Sequence, residues 1–206
     1  MRPLLLLVSL SVLLACAGSA HAASPRSGRA PVCAAKGSTT VALSPQARIY
    51  VRSQRGDDDQ HLLIGCLLKS GRTTQLDSWF SCDCSRGDEF DPQVWLRGTV
   101  VAINRWGCTP DPLAGGICSG AARTFDLRTR RTLRRASTGT SIATLVIGPR
   151  GSFAYISSGG SVTKSDAGGE GVLDAAAGID LSSLAIAGVH VYWMRSGMPQ
   201  TALLVP

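Results

Sequence analysis

The sequence predicts an all-β fold in which short antiparallel strands form about four repeating units. From about residue 39 the chain is a succession of short apolar runs, rich in β-branched and aromatic residues and separated by Gly, Pro, Asp and Ser. No stretch of about 11 residues keeps a 3.6-residue apolar period, so no amphipathic helix is expected. The runs also recur in similar combinations along the chain, which indicates a repeat architecture.

The strand candidates follow one another with turn residues between them. The helix-prone stretch Ala175-Ala176-Ala177 is bounded too closely by Gly171 and Gly178 to extend into a helix. In chain order the candidates are residues 39–43, 47–52, 62–69, 73–76, 94–97, 99–104, 122–127, 132–136, 142–147, 153–157, 162–165, 172–174, 184–187, 189–194 and 201–205.

One recurring element is an apolar run that reaches a glycine and restarts as a second strand. It occurs at Gly98, across residues 148–151 and at Gly188, and each time the restart is rich in Val, Ala, Ile or Tyr. A glycine between two apolar runs is typical of a tight hairpin turn. These segments are therefore predicted to form the first two strands of a unit.

A second element follows the first and adds two more strands. Residues 67–76, 126–134 and 165–173 each have the pattern of a third strand, a polar turn and a fourth strand. Together the two elements predict about four antiparallel four-stranded units, at a period near the 40–50 residues of a propeller blade. The units are unevenly spaced, and Cys-rich insertions at 77–93 and 105–117 account for much of the excess. The alternative is a β-sandwich, which also uses many short strands.

The units resemble those of uncharacterised exported actinobacterial proteins with divergent β-propeller-like repeats. The resemblance extends over most of the chain from about residue 38, although the Trp-Asp and Gly-His dipeptides of better-known propellers are absent. The resemblance implies that the fold is a scaffold, and no established activity comes with it. The segments that carry it are 47–51, 64–68, 125–129, 183–186 and 191–194.

The first 22 residues have the features of an export signal. Arg2 precedes an unbroken run of apolar and small residues at 4–15, and Ala20-His21-Ala22 is a small-x-small cleavage site. The apolar run is shorter than the about 20 residues needed to span a bilayer. We therefore expect cleavage after Ala22 and a secreted, extracytoplasmic protein, with 23–37 as a flexible N-terminal segment and 38–206 as a single β-repeat domain.

An alternative is that the protein is anchored by a lipid. Leu13-Leu14-Ala15-Cys16 resembles a bacterial lipobox, in which the cysteine is lipidated and becomes the new N-terminus. In that case the protein is attached to the outer face of the cytoplasmic membrane through Cys16. A membrane partner is expected only in this case.

Export to an oxidising compartment makes the remaining cysteines disulfide candidates. Six cysteines allow 15 connectivities. A bond from Cys33 to Cys66 would hold the N-terminal segment, and Cys108 and Cys118 bracket a Pro/Gly loop that closes with little loss of entropy. We expect no metal and no cofactor, because Cys82 and Cys84 lack the spacing of a zinc site. The candidates are Cys33, Cys66, Cys82, Cys84, Cys108 and Cys118.

The chain is basic, with 21 Lys and Arg residues against 14 Asp and Glu. Lysine occurs only at positions 36, 69 and 164, so the arginine excess matches G+C-rich coding and does not indicate nucleic-acid binding. An anionic partner, such as an envelope polymer, remains favoured. The predicted binding residues for it, with Arg123 and Arg150 as extensions, are Arg128, Arg130, Arg131, Arg134 and Arg135.

Catalytic signals are weak, and we predict no catalytic residue. His61 and His190 remain after signal cleavage, and no Gly-x-Ser-x-Gly motif is present. The acidic residues at 57–59 and 83–91 do not have calcium-loop spacing. The tryptophans are expected mainly as anchors of the core or of the unit interfaces, and Trp79 and Trp106, which lie in the insertions, are the two to test for ligand contact.

The favoured function is a non-catalytic binding protein, whose partner is an anionic envelope polymer or a protein. The alternative is a small secreted hydrolase or lyase that uses carboxylates of residues 83–91 near His61. A third interpretation is a structural envelope protein without a small ligand. The sequence does not determine the oligomeric state.

Overall fold

A computed structural model describes residues 33–54, 59–81, 92–109 and 117–206, and its architecture is all-β. Within these residues no helix is long and apolar enough to cross a bilayer. A 3-10 turn at Pro149–Gly151 accompanies the strands. The strands are β1 (Ser38–Leu43), β2 (Ala47–Gln54), β3 (Asp59–Leu67), β4 (Thr73–Ser81), β5 (Gln93–Arg97), β6 (Val100–Thr109), β7 (Ile117–Asp126), β8 (Arg131–Thr138), β9 (Ile142–Ile147), β10 (Phe153–Ser157), β11 (Val162–Asp166), β12 (Gly169–Asp174), β13 (Ala185–Ala187), β14 (His190–Arg195) and β15 (Met198–Leu203).

The described strands form four antiparallel sheets, in each of which strands adjacent in sequence pair with one another. The sheets are β1–β4, β5–β8, β9–β12 and β13–β15. The last sheet therefore has three strands in the described residues, where units of four were predicted. The reason is visible in the sequence, since the element that adds the third strand, polar turn and fourth strand occurs only in the first three units.

The sheets stack in chain order through their first strands. Strand β1 contacts β5, β5 contacts β9, and β9 contacts β13, which is a propeller-like arrangement. A separate hydrophobic core fills each of the three junctions. The core between the first two sheets contains, among others, Ala47, Ile49, Leu63 and Leu76 from the first sheet and Val101, Ile103 and Leu127 from the second.

Strand β10 shows why the inner sheets are apolar on both faces. Phe153 and Tyr155 pack towards the second sheet, whereas Ala154 and Ile156 pack towards the fourth. Adjacent side chains of a strand point to opposite faces, so a strand of a sheet that is covered on both sides buries residues on both faces. All residues of β10 are accordingly buried.

The glycines that the sequence marks as restart points lie in turns. Gly98 and Gly188 have φ angles of +62° and +61°, in the hairpins that join the first two strands of their sheets. Side chains rarely adopt this left-handed conformation, which explains glycine at both positions. The strands around the insertions are longer than predicted, since β4 continues to Ser81 and β6 to Thr109.

Of the cysteine pairings that the sequence leaves open, the structure contains the one between Cys33 and Cys66. It attaches the segment before β1 to the face of the first sheet that points away from the second. Tyr50 is buried there with both cysteines, and the Arg48 guanidinium donates to the Cys33 carbonyl at 2.6 Å. Residues 33–37, predicted as part of a flexible segment, are thus tied to the domain.

Candidate anion-binding site

Two clefts open along the groove between the first and second sheets. The arginine cleft has a volume of about 160 Å³, and the histidine cleft has a volume of about 310 Å³. The arginine cleft is lined by Asp77, Ile103, Arg105, Ala121, Ala122, Arg123 and Arg135. The histidine cleft is lined by Thr39, Val41, Val51, Ser53, His61, Leu63, Trp79 and Pro92.

The arginine cleft lies at the margin of the core between the first two sheets. It forms there because strand positions on the same face change from apolar to charged residues. Ile103 is buried between the sheets, and Arg105, two residues later on β6, lies on the same face in a more exposed position. Arg123 pairs with Ile103 from β7, and Arg135 on β8 pairs with Arg123. Pairing therefore assembles three guanidinium groups from three neighbouring strands.

Asp77 supplies the negative charge of this cleft. From β4 in the facing sheet, its carboxylate lies 3.4 Å from Arg105 Nη1 and 3.8 Å from Arg123 Nη2. Arg123 Nη2 also donates to the Leu76 carbonyl. Among the described residues that line the cleft, three carry positive charge and one carries negative charge, so these described residues have a net charge of +2.

The predicted arginine cluster is divided between different places. Arg135 lines the arginine cleft, whereas Arg134, one residue earlier, donates to the Leu133 carbonyl at 2.8 Å. Arg128, Arg130 and Arg131 lie exposed at the β7–β8 turn. Arg134 and Arg135 lie in different places because adjacent side chains of β8 point to opposite faces of the sheet.

That turn is organised by Asp126. Its carboxylate accepts hydrogen bonds from the Thr99 hydroxyl at 2.9 Å, the Arg128 backbone N–H at 3.0 Å and the Thr129 hydroxyl at 3.0 Å. Burial raises the pKa of Asp126, but these hydrogen bonds and the charge of Arg128 outweigh it and lower the pKa below its ordinary value. The turn thus has a structural role of its own.

Several arginines bond to backbone carbonyls of a neighbouring sheet. Arg72 donates to the carbonyls of Leu127 and Arg128, and Arg130 donates back to the Thr73 carbonyl at 3.2 Å. Such contacts satisfy carbonyl groups at the sheet junctions, so part of the arginine content has a structural use. Arg150, a predicted extension of the cluster, lies in the 3-10 turn between β9 and β10.

The histidine cleft is built on two adjacent rows of cross-strand pairs. In one row His61 pairs with both Ser53 and Trp79. Ser53 Oγ lies 3.0 Å from His61 Nδ1, and the rings of His61 and Trp79 stack with centroids 5.4 Å apart. These two contacts set the orientation of the imidazole.

The second row joins the two clefts. Val51 pairs with Thr39 and with Leu63, and Leu63 pairs with Asp77. Leu63 lines the histidine cleft, and Asp77 lines the arginine cleft. The two clefts are therefore neighbours on one face of the first sheet.

The other predicted residues have separate locations. Trp79 lines the histidine cleft but is 5% exposed, since most of the indole belongs to the first core. Trp106 is half-buried on β6. His190 is exposed on the last sheet, where its ring stacks on Tyr192.

Part of the predicted chemistry falls outside the described residues. This holds for Cys16, Cys82, Cys84 and the acidic residues at 83–91. Cys108 and Cys118 are directly paired in the backbone register of β6 and β7. In the part of the chain that the structure describes, no group of three or more His, Cys, Asp or Glu side chains could hold a metal ion.

Sequence reasoning did not identify Arg105 and Asp77. Each is a single charged residue in a strand, and only the packing of the first sheet against the second brings them together. A scan of protein families and a search of curated proteins found no match to this chain.

Proposed function

We propose that this protein is an exported, non-catalytic binding protein that holds carboxylate or phosphate groups of an anionic envelope polymer in its arginine cleft. The observation that carries the proposal is the direct pairing of Arg123 with Arg135 beside Arg105. Like charges paired across strands are destabilising. An anionic ligand beside Arg123 and Arg135 would relieve this repulsion.

The chemistry of arginine supports this ligand class. A guanidinium group binds carboxylate or phosphate through two parallel hydrogen bonds. Arg135 is exposed, and the Arg105 side chain is 47% exposed, so a polymer can reach both without unfolding the sheet. The Cys33–Cys66 disulfide is compatible with an extracytoplasmic location, and the export signal in the sequence supports secretion.

The test compares two single-charge variants on the same strand. Arg135→Gln removes a cleft arginine, and Arg131→Gln removes an exposed arginine four positions earlier on β8. We expect Arg135→Gln to elute from immobilised polygalacturonate and from immobilised polyphosphate at clearly lower salt than the wild type. Arg131→Gln should elute near the wild type.

The two matrices separate carboxylate from phosphate as the anionic group. Equal elution of the two variants on both matrices would mean that net charge alone causes retention, which would overturn the proposal. Circular dichroism and thermal melting of each variant establish that it is folded.

The bond between Ser53 and His61 favours hydrolysis as a second candidate function. Ser53 Oγ would attack an ester carbonyl while His61 takes its proton; the alcohol would then leave with that proton, and water would hydrolyse the acyl-serine. The trapping reagent is a fluorophosphonate, with p-nitrophenyl acetate as substrate. Labelling of Ser53 that is lost in His61→Ala supports this candidate, and absence of both labelling and turnover eliminates it.

A further inference from the structure

We infer that the polymer is an acidic polysaccharide, whose carboxylate binds in the arginine cleft while its sugar ring occupies the adjoining histidine cleft. This inference rests on the proposed function and specifies its ligand. The inference is based on the neighbouring positions of the two clefts and on their different lining, which includes three arginines in the arginine cleft and apolar and polar uncharged side chains in the histidine cleft.

The first step is the distance between the clefts. Asp77 and Trp79 lie two residues apart on β4, and each lines one cleft. Two residues of a strand span about 7 Å. Leu63, which pairs with Asp77, forms part of the histidine cleft, so its wall is continuous with the edge of the arginine cleft. One carboxylated sugar unit and its neighbour can therefore contact both clefts.

The second step is the chemistry of the histidine cleft. Val41, Val51 and Leu63 are apolar, whereas Ser53 and His61 offer a hydroxyl and an imidazole. No Asp, Glu, Lys or Arg is among the described residues that line it. A site of this composition favours a neutral group with an apolar face and hydrogen-bonding edges. A pyranose ring has both features, since its C–H groups form faces and its hydroxyls form the rim.

The third step excludes polyphosphate as the best ligand. Phosphate chains have charged oxygens on every unit and no apolar face, so they would gain nothing from the apolar wall of Val41, Val51 and Leu63. The cleft volume of about 310 Å³ also accommodates a monosaccharide-sized group. The fixed orientation of His61, between Ser53 and Trp79, reduces the ordering cost of binding.

The experiment measures binding of polygalacturonate, methyl-esterified polygalacturonate and polyphosphate to the purified protein with its disulfides intact. His61→Ala removes the imidazole of the histidine cleft, and His190→Ala is the matched control on the exposed face of the last sheet. Ser53→Ala is a second, milder variant that deletes only a hydroxyl.

We expect His61→Ala to weaken polygalacturonate binding about three- to tenfold, the loss expected for a hydrogen bond and part of a contact surface. Ser53→Ala should weaken it less, and His190→Ala should match the wild type. Polyphosphate binding should be unchanged in all three, and the esterified polymer should bind much more weakly than the acid.

The outcomes separate the inference from the proposed function. If Arg135→Gln weakens polygalacturonate binding while His61→Ala and Ser53→Ala match His190→Ala, the sugar subsite is wrong and the anion site stands. If polyphosphate binds more tightly than polygalacturonate and loses affinity in His61→Ala, the ligand class is wrong. If Arg135→Gln has no effect on either polyanion, both proposals are overturned.

Discussion

Asp77 on β4 and Arg123 on β7 belong to different sheets, and their charged groups lie 3.8 Å apart across the groove. Asp77 is the acidic group among the described residues that line the arginine cleft, and Arg105 is its second partner at 3.4 Å. The carboxylate thus occupies part of the positive surface that an anionic ligand would use. Asp77 would therefore compete with an anionic ligand for the arginines, and it also links the first sheet to the second.

Replacement of this carboxylate should change binding and stability in opposite directions. Asp77→Asn removes the negative charge from the cleft, so we expect later elution from immobilised polygalacturonate in a salt gradient. Stability should fall by up to about 1 kcal/mol, since the partner arginines are partly exposed and solvent screens the pairs. Guanidinium unfolding measures the second effect. Earlier elution of a folded Asp77→Asn protein would contradict the assignment of the cleft.

A second disulfide is predicted at the pair Cys108 and Cys118. These residues are directly opposite in the register of β6 and β7, and direct cross-strand pairing brings backbones within disulfide reach. Peptide mapping of the non-reduced protein should recover a Cys108–Cys118 peptide beside the Cys33–Cys66 peptide. Recovery of Cys108 as a free thiol would refute the prediction.

We expect Asp166, which joins the third sheet to the segment after β15, to make stability dependent on pH. Its carboxylate accepts hydrogen bonds from Lys164 Nζ at 2.7 Å, from the Val205 N–H at 2.9 Å and from the Gly168 N–H at 2.8 Å. Burial raises the pKa of Asp166, but these bonds and the charge of Lys164 outweigh it, so the pKa lies below its ordinary value.

A lowered pKa in the folded state contributes stability that is present above the ordinary aspartate pKa and is lost as the pH falls through the folded value. We therefore expect the wild type to lose stability below about pH 4. Asp166→Asn should be about 1–3 kcal/mol less stable at pH 7, because one of the two acceptor oxygens becomes an NH2 group and the negative charge beside Lys164 is lost, and its stability should fall less below pH 4. Urea unfolding at pH 7, 5 and 3 tests this, and parallel pH curves would contradict it.

Gly151 tests the junction between the second and third sheets. It has a φ of +80°, and a Cβ at this position would lie 2.3 Å from Leu133 Cδ1 and 2.7 Å from Leu133 Cβ. Gly160 also has a φ of +80° but has open space around its Cβ position, which makes it the matched control.

Both alanine variants bear the backbone cost of a left-handed residue, about 1–2 kcal/mol. Gly151→Ala adds overpacking against Leu133, so we expect it to be less stable than Gly160→Ala by about 1–3 kcal/mol. The difference in free energy of unfolding between the two variants measures the packing effect alone. Equal free energies of unfolding for the two variants would mean that the junction accommodates the added methyl group without loss of stability, which would contradict the prediction.

The strand pattern of the amino-acid sequence was sufficient for the all-β class, the order of the strands and the glycine hairpins, because these depend on local alternation and turn chemistry. Residues 142–147 and 153–157, predicted as strands, coincide with β9 and β10. The sequence offered the Cys33–Cys66 bond as one possible pairing and could not choose among the pairings, whereas the fold contains this bond.

The arginine cleft was decided by tertiary structure alone. The arginine-rich segment 128–135 is the more conspicuous feature of the amino-acid sequence. In the fold, its arginines are distributed between the β7–β8 turn, a contact to the neighbouring sheet and the arginine cleft, which Arg135 lines. Arg105 and Asp77 carry no local signal, because their proximity depends on how one sheet stacks on the next. Strand periodicity says which face a side chain occupies, but only the packing of two faces determines which charges meet across the groove.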